Sequence, residues 1–314
     1  MAAARAGVKE PLGSRIPDDG EEQLKFASIV AGIRGGSAAR TDLAMLTVIS
    51  DHGIPDDMAQ HDMVWILCRL GGGEPRELPI KLRRALLEIA ARIDDARSIE
   101  LLITYGGLTL EDVRADDNAA FGGACYGGKD VIARWLYSLG LTLEDVRADD
   151  NYAFRVACAC GHEAIARWLL SLGLTLADVR AKDNYAFRGA CAYGYEAIAR
   201  WVFSLGLTLA DVRAKDNYVF RWACADGREA IARWLFSLGL TLADVRADDN
   251  FAFRWACDHG HEAIARWLYS LGLTHEDVRA AHNYALHWAR RQGHESIVRW
   301  LRAEVGVGTG LIAG

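Results

Sequence analysis

Apolar residues along most of this chain fall in short runs at helical spacing, and the runs return at a fixed interval. From Leu108 to Val305 the pattern restarts every 33 residues, at Leu108, Leu141, Leu174, Leu207, Leu240 and Leu273, with no insertion or deletion. The unit starting at Leu240 is representative. A mostly polar stretch leads to Asn250, followed by the amphipathic run Phe251-Ala-Phe-Arg-Trp-Ala-Cys-Asp-His and Gly260. A second run from His261 places Ile264, Trp267, Leu268 and Leu271 on one side and closes at Gly272. Residues three and four apart share a helix face, so each run reads as a helix. Asn250 is placed to cap the first, Gly260 to make the turn and Gly272 to end the second. Two such helices cannot bury their apolar faces alone and must stack on neighbours, which predicts an all-α solenoid of six repeats over residues 108–305.

The connector between units reads Thr142-Leu-Glu-Asp145. A threonine followed three residues later by an acid is a reciprocal capping pattern, and it predicts a short third helix over residues 143–148 and their equivalents. The frame Tyr-Ala-Phe-Arg-Trp-Ala-Cys-x-x-Gly-His-Glu-Ala-Ile-Ala-Arg-Trp-Leu resembles the Thr-Pro-Leu-His-x-Ala-x-x-x-Gly-His frame of ankyrin repeats, whose length it shares. That resemblance implies an ankyrin-like helical repeat solenoid in which a short helix replaces the usual β-hairpin finger. Thr-Pro is replaced by Tyr152-Ala153 and its equivalents. The frame histidine becomes Arg155, Arg188, Arg221 and Arg254, and only His287 keeps it. The hydrogen bonding of the usual frame therefore has to be made differently. The run Glu-Asp-Val-Arg-Ala-x-Asp-Asn-Tyr-Ala is similar to that of the large ankyrin families encoded by giant DNA viruses of amoebae, which for a viral protein implies action on a host in its cytoplasm.

Upstream the pattern is worn. Ala85-Leu-Leu-Glu-Ile-Ala-Ala-Arg, then Ile99-Glu-Leu-Leu and Gly106, aligns with the same frame, and residues 21–107 read as degenerate, capping helical units. Residues 1–20 are expected to be disordered, and 306–314 to form a short tail. Leu78-Pro79 before a leucine-rich helix resembles the start of an F-box. This opens an alternative in which the N-terminal helices recruit a second complex, such as ubiquitin-ligase machinery, while the repeats select a target.

Composition narrows the function classes. A net charge of -6 argues against a nonspecific nucleic-acid binder, because affinity for phosphate backbones rests on surplus cations. No apolar run approaches the roughly 18–20 residues of a membrane span, and Met1–Glu22 lacks the apolar core of a secretory signal, so a cytoplasmic location is expected. Cys125, Cys158, Cys191, Cys224 and Cys257 stand one repeat apart. Helices stack roughly 8–10 Å apart, too far for disulfides, so these read as buried free thiols.

Repetition within the chain separates architecture from recognition. Trp135, Trp168, Trp201, Trp234, Trp267 and Trp300 recur in every unit and read as core, and the arginine before each reads as a solvated outer row. Positions that vary are freed from the stack. They cluster before the turn glycine: Tyr126, Cys160, Tyr193, Asp226, Asp258 with His259, and Arg291 with Gln292. A helical wheel puts 251, 255, 258 and 259 together, opposite Phe253, Ala256 and Cys257. The ankyrin resemblance implies that this face is concave and contacts a protein partner. One column on it changes along the array: Gly123, Val156 and Gly189 give way to Trp222, Trp255 and Trp288. Exposed tryptophans supply large contact area at low entropic cost, while the same rings can instead pack between neighbouring first helices. Cys158-Ala-Cys160-Gly-His162 and Cys257-Asp-His259-Gly-His261 lack the paired spacing of a zinc site, so no metal or other cofactor is expected. No phosphate loop or nucleophile signature is present, and the expected role is noncatalytic.

Overall fold

The computed structural model describes residues 75–78, 80–303 and 306. Among these, every regular element is helical. The expectations for residues 1–20, for the helical units before residue 75, for Pro79 of the F-box-like pair and for nearly all of the tail lie outside the described residues. The chain divides into two compact units, residues 1–120 and 121–314.

In the first unit, Ile80–Ile93 and Ala96–Thr104 form a helix pair. Leu82, Leu86, Leu87, Ile99 and Leu102 are buried in it. Buried Asp95 caps the second helix by accepting the Ser98 N–H at 2.9 Å. Arg84 reaches Asp112, in the linker helix Leu110–Val113, with Nε and Nη2 at 3.0 and 2.8 Å.

The second unit repeats one structure. A linker helix such as Leu143–Val146 is followed by a first helix ending at Ala159 and a second helix, Glu163–Ser171. The expected third helix is present, though it stops at Val146. Its capping box is formed: the Thr142 N–H and hydroxyl both donate to Asp145 Oδ2, at 2.7 and 3.0 Å. Between linker and first helix, three consecutive residues are left-handed: Asp149, Asp150 and Asn151, and likewise Lys182, Asp183, Asn184 and their equivalents, with φ between 45 and 63°. This corrects the capping role expected of Asn250, since a helix N-cap has extended backbone and Asn250 stands at φ 61°. Its amide instead donates to the Asp277 carbonyl of the next repeat at 3.2 Å.

Left-handed backbone costs of order 1–2 kcal/mol per residue that is not glycine. The arginine that replaced the frame histidine holds it in place. Arg155 is buried and donates to the carbonyls of Asp150 at 2.9 Å and Asp149 at 2.7 Å. Arg254 does the same for Asp249 and Asp248, at 2.7 and 3.0 Å. The missing hydrogen bonding of the usual frame is thus rebuilt around a guanidinium.

Stacking is carried by ladders between neighbouring repeats. Arg147, Arg180, Arg213 and Arg246 each pair with the capping-box aspartate of the next unit through two hydrogen bonds, for example Arg246 to Asp277 at 2.9 and 2.8 Å. Phe154, Phe187, Phe220 and Phe253 are fully enclosed and form the core with buried Cys158, Cys191, Cys224 and Cys257. Burial pushes these thiols above their usual range, and none is in a disulfide.

Two expectations about the second helix are corrected. Its tryptophans are inter-repeat wedges rather than core: Trp135 is exposed, Trp168, Trp201 and Trp267 half-buried, and only Trp234 and Trp300 buried. Each of the last five meets the first-helix phenylalanine of the previous unit, as Trp267 meets Phe220 at 6.3 Å. The arginine row is exposed but engaged. Arg134, Arg167, Arg200, Arg233 and Arg266 lie 4.5–5.0 Å above the tryptophan of the following repeat. They also pair with an acid one turn back on their own helix.

Candidate functional site

The arginine clamp and the left-handed triplet fix where each first helix begins, and so which residues its open face presents. Directly after the triplet stands an aromatic residue, Tyr152, Tyr185, Tyr218, Phe251 or Tyr284. The clamp arginine of one repeat lies against the aromatic of the next. Arg155 is 5.3 Å from the Tyr185 ring, Arg188 5.1 Å from Tyr218, Arg221 4.8 Å from Phe251 and Arg254 5.0 Å from Tyr284. One side chain thereby braces its own backbone and seats its neighbour.

One helical turn further on comes the column that changes along the array. Trp222 packs against Tyr218 at 5.8 Å, Phe251 at 5.7 Å and Trp255 at 6.2 Å. Trp255 stacks on Phe251 at 5.2 Å and approaches Tyr284 at 6.4 Å, and Tyr284 meets Trp288 at 5.7 Å. Six rings from three repeats form one continuous strip. Trp222, Trp255 and Trp288 are each half-buried, so the rings pack between first helices and still leave part of their surface accessible. Trp288 touches Trp255 only through Tyr284. The contribution of Tyr218, Phe251 and Tyr284 was hidden by their recurrence, which marks them as architecture. The usable signal is that each precedes a tryptophan by one turn.

The other expected residues separate. Tyr126 and Tyr193 are 47 and 60% exposed, and His259, Arg291 and Gln292 are exposed as well. Asp226 is half-buried. Asp258 is a correction: only 5% exposed, it accepts the Tyr284 hydroxyl at 3.1 Å and Gln292 Nε2 at 3.3 Å, so it serves the stack instead of the face. A wheel drawn for one helix could not show this, because both partners come from the next repeat. Burial, with the neighbouring Asp258 charge and hydrogen bond, pushes the Tyr284 phenol up.

Histidines at the turn join repeats. The Nε2 of His162 donates to the Tyr126 carbonyl at 2.9 Å, and that of His294 to the Asp258 backbone carbonyl at 2.8 Å. The rings lie over the turn glycine of the previous unit. A Cβ on Gly128, whose φ is +72°, would sit 2.5 Å from the His162 ring, which makes glycine obligatory there. Burial, and the adjacent His259 and His294, push the His261 imidazole below its ordinary range. In the two Cys/His clusters, Cys158 and Cys257 are enclosed in the core while the histidines face a neighbouring turn. Among the described residues no three His, Cys, Asp or Glu side chains are grouped to hold a metal ion.

Residues 220–309 match the family model of ankyrin repeats in three copies. Among solved structures, the chain is similar to an ankyrin repeat family protein from Legionella pneumophila at 16% identity, covering 79% of this chain and 76% of that one, with a TM-score of 0.37. No curated protein matches it. Among the described residues no helix is long and apolar enough to cross a membrane.

Proposed function

We propose that the chain is a noncatalytic protein-binding module whose partner contacts the first-helix face, the concave one in ankyrin-like arrays. The observation that carries this reading is the aromatic strip from Tyr218 to Trp288. Stacking alone does not call for tryptophan, since the repeats of Val156 and Gly189 stack on the same core without it. Large aromatic edges in a row offer contact area that loses little entropy on binding. The net charge of -6 favours a protein over a nucleic acid. The similarity of the linker run to giant-virus ankyrin families points to a host cytoplasmic protein as that partner.

The test captures partners on the immobilised full chain from amoebal cytoplasm, then measures their affinity for wild type and for Trp222→Ala and Trp255→Ala. Folding of each variant is followed by circular dichroism and thermal melting. Affinity per folded molecule should fall at least tenfold, as for a hot-spot aromatic. Lowered stability with unchanged affinity would show that the rings only pack.

A further inference from the structure

The face reading leaves the chemistry of the partner open, and the following inference rests on that reading. At the C-terminal end of the strip the first helix, Ala280–Arg291, carries arginines and histidines and no acidic side chain. On the helix Ala280–Arg291, Tyr284, His287, Trp288 and Arg291 fall at i, i+3, i+4 and i+7, hence on one face. His287, Arg290 and Arg291 are exposed, as is His259 one repeat earlier. The Arg291 guanidinium lies 4.9 Å from the Trp288 ring. Arg246, by contrast, is tied to Asp277 at 2.8 Å. Among the described residues neither Arg290 nor Arg291 has an ion-pair partner. The carboxylate that could have answered them, Asp258, is buried and bound by Tyr284 and Gln292. Alanine occupies the position of Arg291 in the three repeats that carry Ala159, Ala192 and Ala225, so the cation belongs to this end of the array alone.

A guanidinium laid on an indole keeps its donor edge free, and that planar fork matches a carboxylate. We propose that this end of the face binds an acidic linear peptide segment. Its carboxylates pair with Arg291 and Arg290, with His287 alongside, while neighbouring apolar side chains rest on the edges of Trp255 and Trp288. Phosphates could use the same cations, but so few of them on a chain of net negative charge suit a short acidic peptide better than a polyanion.

The test pans the full chain, and its Arg290→Gln/Arg291→Gln and Trp255→Ala/Trp288→Ala variants, with a random-peptide library. A single-stranded oligonucleotide serves as competitor. Wild type should enrich sequences combining Asp or Glu with aromatic or aliphatic residues. The arginine variant should lose the acidic bias and keep the apolar one. A selected acidic peptide should bind the arginine variant about fivefold more weakly, consistent with two exposed charge pairs. Its affinity for wild type should fall as ionic strength rises from about 0.05 to about 0.5 M. Enrichment of neutral or basic peptides that the tryptophan variant no longer holds would overturn the acidic inference and leave the face reading standing. An acidic bias that persists without the arginines, displacement by the oligonucleotide in preference to peptides, or no enrichment at all would each overturn it too. The face reading itself is decided separately, by the captured partner.

Discussion

The repeats that begin at Leu141 and Leu174 carry Val156 and Gly189 where those beginning at Leu207, Leu240 and Leu273 carry Trp222, Trp255 and Trp288. Beneath this column the two regions are built alike: Phe187 and Phe220 are both fully enclosed, and the same arginine-aspartate ladder joins both. Between first helices they differ. A Cβ on Gly189 would lie 2.6 Å from the Ala159 Cβ and 3.2 Å from its Cα, so those two helices meet at small side chains and backbone. In the later repeats the corresponding space holds the half-buried rings of the aromatic strip. One column thus decides whether the face is closed by small residues or paved with rings, while the core beneath it stays the same. A partner site can be written into such an array without rewriting what holds it together.

The strongest way to break this comparison is to carry the later residue into the earlier repeat. Gly189→Trp has no room beside Ala159 and must push the two helices apart, which should cost about 3 kcal/mol, the upper end for an overpacked site. The reverse change, Trp222→Ala, removes a half-buried ring beside Tyr218 and Phe251 and should cost about 2 kcal/mol, less than for an enclosed tryptophan. Denaturant unfolding of both variants measures the difference. A Gly189→Trp protein as stable as wild type would mean that the two regions are not packed differently at all.

The local part of this architecture was readable in the chain. The period of 33, the turn glycines and the linker helix each depend on residues within one unit, and Thr142 with Asp145 marks that helix through a reciprocal bond three residues long. What escaped reading depends on a residue of the next unit. Asn250 looks like a cap until its amide is seen to reach Asp277, and Asp258 looks like a face residue until Tyr284 and Gln292 enclose it. The clamp arginines were seen as a departure from a frame. Their function required knowing that three left-handed residues stand before them, a conformation that Asp and Asn tolerate but do not announce. The tryptophan column was legible because it varies, and the aromatic column beside it was not because it does not.

A smaller effect should fall equally on both regions. The ladder aspartates Asp178 and Asp277 have carboxyls held below the usual range, and Asp211 and Asp244 are lowered to about 2. Partial burial pushes each of them up, and the facing arginine with the threonine backbone and hydroxyl pulls harder the other way. A carboxyl lower in the folded than in the unfolded chain, where it titrates near about 3.9, stabilises above that pH. Protonation in the folded state removes the stabilisation as pH falls from about 4 to about 2. Unfolding midpoints should therefore drop over that window. Asp211→Asn, which loses the charge facing Arg180 and turns an amide NH2 toward donors on one side, should be less stable by about 1 kcal/mol at neutral pH and should lose less on acidification. A pH profile unchanged by this substitution would remove Asp211 from the ladder's acid response.

The smallest expected effect tests whether the outer arginine–tryptophan row is also indifferent to region. Arg134 lies 4.6 Å from the Trp168 ring in the earlier repeats, and Arg233 4.8 Å from Trp267 in the later ones. Each arginine also pairs with an acid on its own helix, Asp130 and Glu229, so a single substitution would mix the two contacts. A double-mutant cycle separates them: Arg233→Ala and Trp267→Leu, singly and together, leave the Glu229 contribution the same on both sides of the cycle. An exposed guanidinium over an indole should give a coupling of about 0.5–1 kcal/mol. The Arg134 and Trp168 cycle should agree within about 0.5 kcal/mol if the row is the same device throughout. Coupling confined to the later pair would instead mean that the tryptophan-bearing repeats also tighten their outer surface, and that the two regions differ in more than the face they present.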